Sequence, residues 1–102
     1  MDTDVEVPLS GVESIAAERM RQIFAEAWTL EHDQQHGNGE LIQAAACCVL
    51  ARSSRDPQPV TWPWDEVWWK PSSDTARNLA KAGALIAAEI DRLNALDKLY
   101  GA

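Results

Sequence analysis

Apolar positions along the chain fall into three helical stripes separated by turn chemistry. Val12, Ala16, Met20, Ile23 and Ala27 recur at three- and four-residue spacing, with Ile15 and Phe24 widening the stripe. Ser10-Gly11-Val12-Glu13 reads as a capping box at its start, predicting a first helix over about 11–27. Trp28 to Gly39 is a break that ends in Gly37-Asn38-Gly39. Asn38 is placed to cap a second helix, about 40–52, whose inward stripe would be Leu41, Ala44, Ala45, Cys48 and Val49. The alanines at 44–46 suit close approach to a neighbouring helix.

Ser72 or Ser73 is positioned to cap the longest helix, about 74–98. Leu79, Ala82, Ile86, Ile90 and Leu93 trace its predicted inner face, flanked by Leu85, Leu96 and Leu99. Asp74, Lys81, Glu89, Arg92 and Lys98 fill the opposite, solvated face. Gly83 interrupts this helix at a cost of about 1 kcal/mol relative to alanine. Its expected use is close packing against the second helix or a second subunit. Residues 53–61 read as an irregular loop, followed by Trp62-Pro63-Trp64-Asp65-Glu66-Val67-Trp68-Trp69-Lys70-Pro71. With Pro63 at the first helical position, this segment could make one or two turns that put Trp64 and Trp68 on one face. No strand alternation is present. The prediction is an all-α fold: three main helices and a tryptophan-rich connector, with 1–9 an acidic leader and 10–102 a single domain.

Composition sharpens the role of the connector. Four of the five tryptophans lie within it, while the chain holds one Phe and one Tyr. Indoles carry large apolar area and an N–H that needs a partner, so such a cluster either fills a core or forms a contact surface. In an alanine-rich chain most of these rings are expected to lie as a lid over the helices, leaving one or two exposed. Trp28, Trp62, Trp64, Trp68 and Trp69, with Lys70 and Arg77, are therefore the candidate ligand or partner site. Aromatic faces accept planar rings and cations, and arginine pairs with carboxylate or phosphate.

A net charge of -7 disfavours direct nucleic-acid binding, which requires a basic stripe. No segment approaches the roughly 18–20 apolar residues of a membrane span, and the acidic start is unlike a signal peptide. A cytoplasmic location is expected. Cys47 and Cys48 are helical neighbours that point about 100° apart, so they read as unbridged thiols.

Two enzymatic arrangements can be set against these residues. His32, His36 and Glu40, with Glu89 from the third helix, are of metal-ligand type. The histidines do not form the zincin pattern, because no glutamate follows the first of them. A magnesium-dependent nucleotide hydrolase of the MazG type needs acidic pairs three residues apart, and neither Glu40 nor Glu89 has one. No nucleophile elbow, phosphate loop or cofactor motif is present.

The ordered stretches Ala25-Glu26-Ala27-Trp28-Thr29-Leu30-Glu31-His32-Asp33, Gly39-Glu40-Leu41 to Cys48, Trp62-Pro63-Trp64-Asp65 to Pro71, and Leu79 to Leu93 resemble a family of small phage and prophage proteins. The chain departs from that pattern at Ala27, where glycine is usual, and at Thr75-Ala76-Arg77, where paired arginines are usual. A more distant likeness is to the RyR repeat domain. The resemblance implies a phage accessory protein acting by stoichiometric binding. The expected function is thus non-enzymatic: interference with a host defence component, by blocking a host protein or sequestering a small nucleotide-like ligand. The alternatives are the MazG-like hydrolase on His32, His36, Glu40 and Glu89, and a homodimerisation module built on the third helix.

Overall fold

A computed structural model describes residues 8–28, 33 and 35–100. It is all-α, with α1 at Gly11–Phe24, α2 at Glu40–Leu50 and α3 at Thr75–Tyr100. The described residues include no strand. The side chains of 99 and 100 are not described, so the placement expected for Leu99 lies outside the described residues. No helix is long and apolar enough to cross a membrane, among the described residues.

The first helix starts where its capping box predicts. Ser10 Oγ accepts from the Glu13 amide at 3.1 Å, and Glu13 Oε1 accepts from the Ser10 amide at 2.8 Å. It ends earlier than 27 because Ala27 takes a left-handed conformation, φ 57°. That turn lets the Trp28 amide donate to the Gln22 carbonyl at 2.9 Å, satisfying a helix-end acceptor. A Cβ makes this conformation cost about 1–2 kcal/mol.

Two further caps differ from expectation. Gly39, not Asn38, caps α2 with φ 86°, and the Asn38 amide donates to Glu40 Oε1 at 2.7 Å. Asp74 Oδ1 accepts from the Ala76 amide at 3.0 Å at the start of α3, while Ser72 Oγ accepts from the Asp74 amide. The connector makes only a short 3-10 turn, Glu66–Trp68, rather than a helix from Pro63.

α3 is the central helix and packs against both α1 and α2. Its contact faces are small: Ala80, Ala82, Ala84 and Ala88 are buried together with Leu85, and Ala82, Leu85 and Ala88 cluster with Leu41, Ala44, Ala45 and Cys47 of α2. Alanine lets the helices approach closely, and Trp62 supplies the bulk that alanine lacks. Trp28, Cys48, Trp64 and Trp69 pack around that core. Buried Asn78 fastens the loop ends: its Nδ2 donates to the carbonyls of Ala51 and Ser72, and its Oδ1 accepts from the Ser72 amide.

The orientation of two helices reverses the hydrophobic pattern. On α1 the buried residues are Glu18 and Gln22, whereas Val12 is 80% and Phe24 76% exposed and Met20 and Ala16 are also exposed. The cause is an ion cluster: Glu18 accepts from both Arg21 and Arg77, tying the polar side of α1 to α3. On α3 only Ala82 of the predicted inner stripe is buried, and Leu79, Ile86, Ile90 and Leu93 are 42–52% exposed. Arg92, expected on the solvated face, is buried and pairs with Glu89. On α2, Cys47 is buried in place of Cys48 and Val49 is exposed. Gly83 serves α1 rather than α2: a Cβ there would lie 2.6 Å from Ile15 Cδ1 and Cγ1.

Candidate functional site

The connector lies across one side of the helical layer as a wall of indoles. Trp62 is its buried centre, edge-on to Trp64 at 5.4 Å and to Trp69 at 5.0 Å between ring centroids. Trp64 continues the chain of rings to Trp28 at 6.1 Å and to His36 at 5.3 Å. Two indoles are fixed by backbone acceptors: Trp62 Nε1 donates to the Asp65 carbonyl at 3.2 Å, and Trp69 Nε1 to the Asp56 carbonyl at 2.8 Å. Trp64 Nε1 is buried without a partner. Trp68 is half exposed, and Lys70 Nζ stands 5.7 Å over its ring.

This wall separates two concavities. Beneath it lies a cavity of about 80 Å³, walled by Gln22, Trp62, Trp64, Trp69, Lys81 and their neighbours. Gln22 Oε1 is buried without a donor, and Gln22 and Trp64, whose indole N–H is also unpaired, belong to the same lining. Outside it lies a wider cleft of about 520 Å³, lined by Trp28, His36, Pro63, Trp64, Asp65 and Trp68. Only the second has room for a small organic ligand, since such sites span about 300–1,000 Å³.

A buried ion cluster borders the inner cavity. Glu18, 3% exposed, accepts from Arg21 at 2.8 and 3.1 Å and from Arg77, and Arg21 also reaches Glu26 at 2.8 Å. Burial pushes the Glu18 carboxyl up, but hydrogen bonds from Arg21 and Arg77, with their charges, outweigh it and hold the group below its ordinary value. Arg21 is raised by its bonds to Glu18 and Glu26. Lys81 donates to the Lys70 carbonyl at 2.6 Å and is lowered by burial and by the Arg77 charge. Burial also pushes the half-buried Cys48 thiol up to about 11, while Cys47 Sγ contacts Thr61 Oγ1 at 3.4 Å. Both thiols are free.

The predicted contact residues thus divide. Trp28, Trp64 and Trp68 line both the inner cavity and the open cleft, Trp62 and Trp69 line the inner cavity alone, and Lys70 lies beside the Trp68 ring. Arg77 pairs with Glu18 and lines neither the cavity nor the cleft. Gln22 and Glu18 were missed because a hydrophobic-pattern reading assigns polar residues outward. Their spacing, i and i+4 beside Arg21, is the one available sign of a polar inward stripe.

The metal candidates are not brought together. His32 lies outside the described residues. His36 Nδ1 stands 3.4 Å from Glu40 Oε2, and Glu89 is held by Arg92 through bonds of 2.7 and 2.9 Å. Among the described residues, no three His, Cys, Asp or Glu side chains gather as a metal cage requires. No family model, curated protein or solved structure matches the chain.

Proposed function

We propose that this protein is a non-enzymatic binding module that receives a small ligand in the outer tryptophan cleft. The carrying observation is that three of the five indoles, Trp28, Trp64 and Trp68, converge on a cleft of about 520 Å³. Large aromatic faces left in a concave surface beside a few polar groups are a default binding-site arrangement. The likeness to small phage proteins supports a host-derived ligand, whose sequestration would interfere with a host defence component. Incubation with a bacterial metabolite extract, followed by ultrafiltration and mass spectrometry, tests this reading. The protein should retain a small molecule that Trp68→Ala does not; retention of nothing, or equal retention by both, overturns it.

A second reading, self-association, is favoured by the opposite side of the layer. Successive helical residues turn by about 100°, so Val12, Val49 and Ile90 lie roughly half a turn from Arg21, Cys47 and Lys81. Arg21 and Lys81 border the cavity beneath the connector, and Cys47 touches Thr61 of the connector. Each helix therefore turns an apolar residue away from the lid. Leu79, Ile86, Ile90 and Leu93, flanked by Val12, Ile42 and Val49, leave apolar area on the order of 600 Å² uncovered. That approaches the roughly 800 Å² per partner of a standard interface, and the aliphatic character of these residues suits a second copy of the same face.

A further inference from the structure

We infer that the outer cleft selects an organic cation, a small molecule carrying a methylated ammonium group. This rests on the ligand-binding reading above and names the chemistry of its ligand. Three indoles, Trp28, Trp64 and Trp68, form the walls of the cleft. Indole faces carry negative electrostatic potential and attract cations more strongly than the other aromatic rings. The Trp64 ring is inclined 55° to Trp28 and 60° to His36, so the rings bound a corner rather than a flat stack. A corner of inclined rings surrounds a rounded group with several faces, whereas a planar heterocycle can stack on only one of them.

The charges of the lining point the same way. Asp65 is the acidic residue of the lining, and Glu40 Oε2 lies 3.4 Å from His36 Nδ1. No lysine or arginine lines the cleft: Lys70, Lys81 and Arg21 all border the cavity on the other side of the wall. The lining itself offers an anionic ligand no lysine or arginine, and the chain as a whole carries a net charge of -7. The protein already shows the interaction on the same wall, where the Lys70 ammonium lies 5.7 Å from the Trp68 ring centroid. A methylated ammonium suits the cleft better than a bare one, because it sheds its water more readily and fills apolar corners with methyl groups.

The test is a titration of the full chain with choline, with its neutral isostere 3,3-dimethylbutan-1-ol, and with adenosine monophosphate, read by tryptophan fluorescence and by indole N–H chemical shifts. Choline should bind at least about tenfold more tightly than the isostere. Asp65→Asn, which keeps the backbone carbonyl that accepts from Trp62, should weaken choline about tenfold while leaving the isostere unchanged. Tetramethylammonium should compete with choline, and a trimethyllysine peptide that binds more tightly than both would overturn the small-molecule assignment. Equal binding of choline and the isostere overturns the cation inference. Binding of adenosine monophosphate without choline does so too, while leaving the cleft as a ligand site. No response to any probe removes the small-ligand reading as well.

Discussion

Replacing Gly83 by alanine sets two opposing effects of known sign against each other. In an exposed helix interior the change would stabilise the protein by about 1 kcal/mol, the ordinary difference in helix propensity. Here the new Cβ would lie 2.6 Å from both Cγ1 and Cδ1 of Ile15 and 3.2 Å from its Cγ2. Carbon atoms in contact prefer about 3.5–4.0 Å, so the overlap approaches 1 Å. The Cδ1 methyl could swing aside, but Cγ1 and Cγ2 sit on a β-branched carbon with essentially one χ1 rotamer in a helix. Relief therefore requires α1 to move away from α3 or Ile15 to leave its rotamer, and overpacking of this kind costs about 1–3 kcal/mol. Taking the upper part of that range for a double clash, Gly83→Ala should destabilise by about 2 kcal/mol and lower the melting temperature by roughly 10 °C for a domain of this size. Circular dichroism melts and urea titrations at 222 nm measure both. The Ile15→Ala background removes all three clashing atoms, and there Gly83→Ala should become stabilising by about 1 kcal/mol. A higher melting temperature for the single variant, or the same shift in both backgrounds, would refute the α1–α3 packing described.

Other perturbations bear on the remaining parts of the structure. Glu18→Gln should cost about 2 kcal/mol at neutral pH, less than a fully enclosed pair because Arg21 and Arg77 both reach solvent. Because the folded Glu18 carboxyl lies below its ordinary value, its contribution is complete above about pH 4.5 and fades as pH falls through the lowered value. Denaturant midpoints measured from pH 6 downward should therefore decline more steeply for the parent than for Glu18→Gln, and parallel declines would count against the cluster. Trp62→Ala should lose about 3–5 kcal/mol, whereas Trp68→Ala, at a half-exposed ring, should lose less than about 1.5 kcal/mol. Sedimentation should show a dimer that tightens with salt as the two negative charges are screened. Burying the exposed half of Ile90 is worth about 1 kcal/mol and counts twice across a two-fold interface, so Ile90→Ala should weaken the dimer about 30-fold. A parent chain that stays monomeric at several hundred micromolar would contradict self-association through this face.

The sequence was most informative where a local rule acts alone. The Ser10–Glu13 capping box, the three helices and the tryptophan connector all follow from spacing and turn chemistry, and the structure contains them. So does the division of labour among the tryptophans, since an alanine-rich chain with a single Phe and a single Tyr must fill its core with indole. Orientation was not legible. Periodicity shows that α1 and α3 each have an apolar face, but not what covers it. Packing at short range selected the small residues Ala80, Ala84 and Ala88, which a hydrophobicity scale scores weakly, over Leu79, Ile86 and Ile90. Glu18 and Gln22 point inward because Arg21 and Arg77 arrive from two different helices, a juxtaposition that only the fold creates. The same juxtaposition withdraws Arg77 from the candidate site. The cleft joins Trp28 and His36 from the α1–α2 break to Trp64, Asp65 and Trp68 of the connector, residues that no motif links.

The central claim, that the outer cleft and not the lid is the binding surface, is tested most directly by following the five indole N–H resonances during a choline titration. Trp28, Trp64 and Trp68 should shift in a saturable, concerted way, with Trp62 and Trp69 unmoved because the carbonyls of Asp65 and Asp56 hold their N–H groups. Shifts confined to Trp62 and Trp69, or five resonances that stay still with millimolar choline and with adenosine monophosphate alike, would contradict it.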